Sequence, residues 1–271
     1  METSYRADLF EDQVALVTGG GSGIGRDIAM RFAALGAKVL VCGRKRDALD
    51  ETCGMIDAAG GEAEPFALDI REREMCQAAI SRAWERWGRL DTLVNNAGGQ
   101  FGQAAIDISA RGWSAVIDTN LNGTWHMMQA AARRWRDEGR GGCVVNIVLD
   151  IARGIPGMAH SVAARGGVVY LSKTVAVEWA PLGIRVNCIA PGLIRSSGFD
   201  LYEPAVRRKS LNDSNPMRRM GETADIAEGC LYLASPGGRF ITGEVLTIDG
   251  GQQMWGDVWG IAKPDYFRFE D

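Results

Sequence analysis

The sequence predicts an α/β protein: one doubly wound, parallel sheet of about seven strands with helices on both faces. Three observations predict it. Short, nearly unbroken apolar runs alternate with segments of helical periodicity, a glycine-rich turn joins the first run to the first helix, and no Pro/Ser-rich linker or internal repeat divides the 271 residues. Strands that are apolar throughout, each followed by a helix, need cover on both faces, which parallel crossovers provide. Residues 1–271 are accordingly expected to form a single domain.

The elements follow in order. Gln13 to Thr18 is the first strand, and Ile24, Ile28, Phe32 and Leu35 recur at helical spacing up to Gly36, a stop signal. Lys38 to Cys42, Glu64 to Ala67 and Thr92 to Val94 read as strands, with helices at Asp47 to Ala59 and Arg71 to Trp87 between them. Helices within Ala110 to Glu138 lead to a strand at Cys143 to Val148, a long helix from about Gly157 to Ala180, and a strand at Arg185 to Ile189. Glu222 to Leu233 is a helix and Val245 to Ile248 the last strand. Arg195 to Asn215 lacks apolar periodicity and follows the C-terminal end of a strand, where ligands sit in such sheets, so it reads as a substrate lid.

Composition excludes several classes of function. With 30 Lys+Arg against 34 Asp+Glu and no basic stripe, nucleic acid and anionic membranes are not expected partners. The longest uncharged stretch, Thr92 to Ile106, is too short and polar to span a bilayer. Met1 to Asp12 carries charges throughout and lacks the apolar core of a secretory signal, so a cytoplasmic location is expected. Cys42, Cys53, Cys76, Cys143, Cys188 and Cys230 are scattered without a C-x-x-C pair, and only His126 and His160 could join them; no metal site is expected. The cysteines read as small core residues and the histidines as packing or hydrogen-bonding groups.

The turn Thr18-Gly19-Gly20-Gly21-Ser22-Gly23-Ile24-Gly25 lies between a strand and a helix. There, glycines let backbone approach a pyrophosphate, and the helix start offers unpaired N–H groups and a positive dipole end. Gly19, Ser22, Gly23, Ile24 and Gly25 are therefore cofactor-binding candidates in a Rossmann-type site. The second strand ends Gly43-Arg44-Lys45-Arg46, where an NAD-binding chain often carries an acidic residue. A guanidinium at Arg44 can hold a 2′-phosphate, which favours NADP(H) over NAD(H); the alternative is a solvated basic turn.

Five motifs in order make a specific resemblance. The Thr-Gly-x-x-x-Gly-Ile-Gly loop, Asn95-Asn96-Ala97-Gly98, Asn120 in Asp-Thr-Asn-Leu-Asn-Gly-Thr, Arg185-Val186-Asn187 leading to Pro191-Gly192, and Asp249-Gly250-Gly251 resemble the short-chain dehydrogenase/reductase family from Asp12 to Gly251. The resemblance implies that Asp69 and Ile70 line an adenine pocket, that Asn96, Ala97 and Gly98 lie at the adenosine ribose, and that Pro191, Gly192 and Ile194 lie at the nicotinamide. Asn95 reads instead as a tie between strands. A homotetramer is a further implication.

The catalytic positions depart from that family. Most members end the fifth strand in Ser and carry Tyr-x-x-x-Lys on the next helix. Here the strand ends Asn146-Ile147-Val148-Leu149-Asp150, with Val148 or Leu149 at the serine position, and His160-Ser161-Val162-Ala163-Ala164-Arg165 puts Ser161 for Tyr and Arg165 for Lys. A phenol can be tuned toward neutrality, whereas an aliphatic hydroxyl titrates far higher, so Ser161 is a poor proton carrier. Arg165 stays cationic and can bind ribose or phosphate but will not shuttle a proton. Asn120, Ser161 and Arg165 can still stabilise an oxyanion, which is what reduction of an α,β-unsaturated acyl-CoA requires. The departures resemble the peroxisomal trans-2-enoyl-CoA reductases and, more loosely, the 2,4-dienoyl-CoA reductases, which are NADPH-dependent; in the former a tyrosine lies where this chain has Val169, with Tyr170 one further. Tyr170 is rotated about 100° from the Ser161, Arg165 and Val169 face and reads as a packing residue. Asp150 is a candidate acid or water-positioning group, or a loop cap.

Two other functions compete: an alcohol or ketone dehydrogenase using Asp150 or Tyr170 as an atypical acid/base, and a non-catalytic NADP(H)-binding partner subunit. Arg207-Arg208-Lys209 and Arg218-Arg219 are candidates for coenzyme A phosphates or simply a solvated face, and the aromatic tail, 252–271, is expected to cover the acyl pocket or a neighbouring subunit.

Overall fold

The computed structural model describes residues 5–196 and 215–254. Nearly all of the predicted lid, the Arg207-Arg208-Lys209 run and the tail beyond Met254 lie outside the described residues.

The elements are β1 (Val14–Thr18), α1 (Gly23–Ala34), β2 (Lys38–Gly43), α2 (Arg46–Ala58), β3 (Glu62–Ala67), α3 (Arg73–Trp87), β4 (Thr92–Asn95), α4 (Ala110–Ile117), α5 (Gly123–Asp137), β5 (Gly142–Ile147), α6 (Ala159–Trp179), β6 (Ile184–Pro191), β7 (Ile194–Arg195), β8 (Gly221–Glu222), α7 (Thr223–Ala234) and β9 (Val245–Ile248). Seven strands form one sheet in the order β3-β2-β1-β4-β5-β6-β9, every pairing parallel. The winding reverses between β1 and β4, which leaves a crevice at the strands' C-terminal ends where ligands bind in open α/β sheets.

The period-two pleat sorts the core. Ala15 and Val17 of β1 join Ile28 and Phe32 of α1, Leu49 of α2 and Ile226 of α7 on one face. Val14 and Leu16 join Ile80 of α3, Met128 of α5 and Val175 of α6 on the other. All six cysteines are free and buried, five of them in these two clusters and Cys188 in a third with Val148 and Val168.

Two features were not foreseen. The Asp118–Asn122 segment between α4 and α5 is a turn of π-helix, whose extra residue turns Asn120 inward to zero exposure. A two-stranded parallel pair, Ile194 on Gly221 and Arg195 on Glu222, flanks the segment read as a lid. No helix among the described residues is long and apolar enough to cross a membrane.

Candidate cofactor and active site

The glycine turn is built for a ligand's close approach. Gly19 and Gly23 take φ of +67° and +53°, which side chains adopt at a cost. A Cβ on Gly25 would lie 2.3 Å from the Gly19 carbonyl oxygen and 2.4 Å from Asn96 Nδ2, so the helix can start this close to β4 only through glycine. Thr18 is the hub: its Oγ1 accepts from the backbone N–H of Asn96 and of Ala97, both at 3.0 Å, and Asn96 Nδ2 donates to the Thr18 carbonyl at 3.1 Å. From α1, Arg26 donates to the Gly21 carbonyl at 2.7 Å and to Glu51 of α2, which holds the turn against its neighbouring helix.

Beside the turn, a cleft is lined by Arg44, Asp69, Ile70, Ala97 and Gly98, expected at the adenosine, and by Gly19, expected at the pyrophosphate; Asn96, also expected at the ribose, is not among its lining residues. Thr18, Arg71 and Thr119 line it too and were not singled out from the sequence. Arg71 could have been found from its position, two residues after Asp69 at a strand end. Its side chain hydrogen-bonds Asp69 and, with lesser help from Arg44, holds that carboxyl down at about 2 despite partial burial. Pro191 ends β6, and the following Gly192 lies so close to Asp249 that a Cβ would stand 2.6 Å from its Cα. Ile194 is buried in β7.

Further along the crevice, Arg165 is 7% exposed. Its Nη1 donates to the Ile147 carbonyl at 2.7 Å, its Nη2 lies beneath Gly98, and its Nε is buried without a partner among the described residues. Burial lowers its pKa to about 10, so it stays charged. A buried cation that no carboxylate neutralises is costly unless a ligand completes its hydrogen bonds. That orphaned Nε and the glycine cradle are what a dinucleotide's ribose hydroxyls and pyrophosphate fit.

The other catalytic candidates fall around it. Ser161 is fully buried, and its Oγ donates to Gln100 Oε1 at 2.6 Å. Gln100, at the edge of the Asn95 to Gly98 motif, is thus part of the site. Both ends of the Asn120 amide are taken by one residue: Oδ1 accepts from Gly99 N and Nδ2 donates to Gly99 O, each at 2.9 Å. Asp150 accepts from Ala152 N at 3.2 Å, a loop cap, while burial and then the charge of Asp249 raise its pKa. Val148 is buried. Tyr170 is 72% exposed, with Lys173 over its ring, so it neither packs in the core nor reaches the crevice. Asn95 Nδ2 donates to Asn146 Oδ1 at 2.8 Å, tying β4 to β5. His160 packs edge-on against Phe101, and His126 Nδ1 is 3.2 Å from the Ile70 carbonyl oxygen. Among the described residues no cluster of three or more His, Cys, Asp or Glu could hold a metal.

The family described as Enoyl-(Acyl carrier protein) reductase matches residues 19–253. The chain belongs to the short-chain dehydrogenase/reductase family. Among its relatives, a Bacillus subtilis protein named "Probable 2,4-dienoyl-CoA reductase [(2E)-enoyl-CoA-producing]" is 39% identical over 90% of this chain and 98% of its own. The rat "Peroxisomal 2,4-dienoyl-CoA reductase [(3E)-enoyl-CoA-producing]" is 36% identical over 91% of this chain and 86% of its own. A solved structure of a citronellol catabolism dehydrogenase from Pseudomonas aeruginosa superposes with a TM-score of 0.84 at 37% identity, covering 93% of this chain and all of that one. As a short-chain dehydrogenase/reductase the chain is an oxidoreductase of the nicotinamide-using type. Its Arg185 and Asn187, inside a family motif, hold the 238–244 turn through the Gly238, Ile241 and Glu244 backbone rather than facing the crevice.

Proposed function

We propose that the protein is an NADPH-dependent reductase of a conjugated acyl-CoA thioester, a 2,4-dienoyl- or trans-2-enoyl-CoA. The observation that carries this reading is the buried guanidinium of Arg165, which pairs with no carboxylate among the described residues, on the same helix as the buried Ser161 hydroxyl that stands at the family's tyrosine position. The names of the relatives support the same substrate class.

NADPH held in this cleft would supply the hydride for the far end of the conjugated system, and the charge that develops would collect on the thioester oxygen. Ser161 turns its proton from Gln100 Oε1 to that oxygen, which replaces one acceptor by a more negative one. Arg165 adds positive potential in a dry site, and its unpartnered Nε would donate to the nicotinamide ribose. Asn120 is a positioning residue: by gripping Gly99 it holds the 98–100 loop over Arg165. Asp150, with its raised pKa, orients the water that returns a proton to carbon. Gly19, Ser22, Gly23, Ile24 and Gly25 cradle the pyrophosphate, Arg44 takes the 2′-phosphate, and Pro191, Gly192 and Ile194 shape the nicotinamide end.

The test is NADPH oxidation with trans,trans-2,4-dienoyl-CoA and trans-2-enoyl-CoA esters of increasing chain length, against NADH, in wild type, Ser161→Ala and Arg165→Ala. Wild type should turn over with a preference for NADPH. Ser161→Ala should lower kcat by roughly 10²-fold or more, and Arg165→Ala should chiefly raise the KM for NADPH. Binding of NADPH without turnover of either ester series would overturn the reading.

A further inference from the structure

His160 lies in the first turn of α6, buried to zero exposure, and takes no part in the chemistry assigned to Ser161, Arg165 and Asp150. Its Nδ1 accepts the backbone N–H of Ser161 at 2.7 Å. The ring proton therefore sits on Nε2, because only one nitrogen of a neutral imidazole carries it. That Nε2 is buried without a partner among the described residues, which costs free energy unless a ligand completes the bond. The loop after β4 shows where the ring stands. Its residues meet the site one by one: Gly98 lies over Arg165 Nη2, Gly99 pairs with Asn120, Gln100 Oε1 accepts from Ser161 Oγ at 2.6 Å, and the Phe101 ring packs edge-on against His160 with centroids 4.4 Å apart. Farther on, Gln103 N donates to the Gly157 carbonyl at 2.9 Å and pins the loop to the approach of α6. Gln100 and Phe101 are neighbours, about 3.8 Å apart at Cα, so the Ser161 hydroxyl and the His160 imidazole lie side by side beneath one short stretch of loop.

We propose that His160 is a further catalytic residue: its Nε2–H is a second donor, beside the Ser161 hydroxyl, to the thioester oxygen that gains charge. This rests on the reading of the site as a reductase of a conjugated acyl-CoA thioester. The imidazole acts as a hydrogen-bond donor and not as an acid. Its proton stays on Nε2 throughout, no bond to hydrogen breaks, and the contact strengthens as charge moves onto the oxygen. Neutral histidines polarise substrate carbonyls in this way in other enzymes. Ser161 must give up Gln100 to reach the oxygen, whereas Nε2 has no described acceptor to leave, so the imidazole contributes without losing a bond. Nδ1 has a separate task. Met158, the N-cap of α6, offers no side-chain cap, and Nδ1 satisfies a backbone donor of the first turn in its place.

Asparagine and glutamine separate the two nitrogens, since an asparagine oxygen can stand in for Nδ1 and a glutamine amide nitrogen for Nε2. The test compares wild type, His160→Asn and His160→Gln in three readouts: the dissociation constant for NADPH, kcat and KM with a trans-2-enoyl-CoA, and the infrared stretch of that ester's isotope-labelled thioester carbonyl when bound together with NADP+, so that no hydride can pass. His160→Asn should lower kcat by about 10²-fold, the effect of removing one oxyanion donor, and return the carbonyl band toward its position in the free ester. Its NADPH constant and KM should stay within about threefold of wild type. His160→Gln should recover about tenfold of the lost kcat and most of the band shift. A wild-type kcat in His160→Asn overturns the proposal. So does a His160→Gln variant no more active than His160→Asn, which would make His160 a helix cap through Nδ1, and so does a carbonyl band that is the same in wild type and His160→Asn. The band is read without turnover, so a wild type that binds the ester and does not reduce it sinks the reductase reading alone while the band still decides on His160; a wild type that does not bind the ester sinks both.

Discussion

Gly98→Ala tests whether the loop after β4 and the buried arginine are built as one unit. A Cβ on Gly98 would lie 2.1 Å from Arg165 Nη2 and 2.8 Å from Asn120 Oδ1. The end of a long side chain usually yields cheaply, but here Arg165 is 7% exposed and tethered by Nη1 to the Ile147 carbonyl, and Asn120 is tethered twice to Gly99. Either the loop lifts off or Arg165 gives up a charged hydrogen bond. Overpacking costs about 1–3 kcal/mol, and a hydrogen bond to a charged group is worth about 1.5–3 kcal/mol, so the expected loss is about 2–4 kcal/mol. For a chain of 271 residues that is a fall in Tm of roughly 4–8 °C. Gly99→Ala is the matched control, because nothing among the described residues lies within 4 Å of the Cβ it would add. Thermal unfolding of the two variants, with and without NADPH, is the assay. Adding Arg165→Met to Gly98→Ala should recover the part of the loss that comes from the guanidinium, while the 2.8 Å approach to the tethered Asn120 Oδ1 remains. Equal Tm values for Gly98→Ala and Gly99→Ala would refute the coupling.

Further outcomes follow from the same geometry. Tyr170→Phe should change Tm and turnover by less than about twofold or 0.5 kcal/mol, because the ring is 72% exposed; a hundredfold loss of turnover would bring the tyrosine into the chemistry. Asn146→Ala should destabilise by about 2–4 kcal/mol, since this buried amide accepts from Asn95 and donates to Ser172 and Met128 Sδ; an unchanged denaturant midpoint would show that the network carries no weight. Asp150 holds its proton to higher pH in the native than in the unfolded chain, so its contribution to stability falls as pH rises from about 4 through its raised value. A Tm–pH series should therefore show Asp150→Asn gaining on wild type over that window, and parallel curves would contradict the burial that raises the carboxyl.

Much of the fold was legible because the strands announce themselves. Val14 to Thr18, Lys38 to Gly43 and Gly142 to Ile147 are short apolar runs bounded by turn residues, and each is a strand within two residues of its expected limits. The Gly19 to Gly25 turn was legible for the same local reason, since its glycines and its place before a helix are properties of neighbouring residues. What was not legible depends on contacts between distant segments. Asn120 points inward because one π-helical turn adds a residue, and no periodicity signals that. Gln100 enters the site only through its 2.6 Å bond to Ser161, 61 positions later. Arg71 read as a helix start until its side chain was seen folded back on Asp69.

The replacement of a lysine position by Arg165 has a structural reason as well as a chemical one. A lysine ammonium is strongly hydrated and changes its pKa readily when buried, so it can take part in a proton path. The guanidinium of Arg165 keeps its charge even with its pKa down at about 10, and its Nη1 bonds the Ile147 carbonyl at the end of β5 while Nη2 packs under Gly98, just after β4. It is therefore tied to the end of β5 and packed against the loop after β4, the neighbouring strand on the β5 side of the winding reversal. The position is released from proton work because Ser161, at the tyrosine position, has no phenol to activate. Restoring the phenol alone, as Ser161→Tyr, should give no alcohol oxidation, because the adjacent guanidinium stays bonded to the Ile147 carbonyl and does not give up a proton; turnover of a secondary alcohol by that single variant would show that Arg165 can serve a proton path after all.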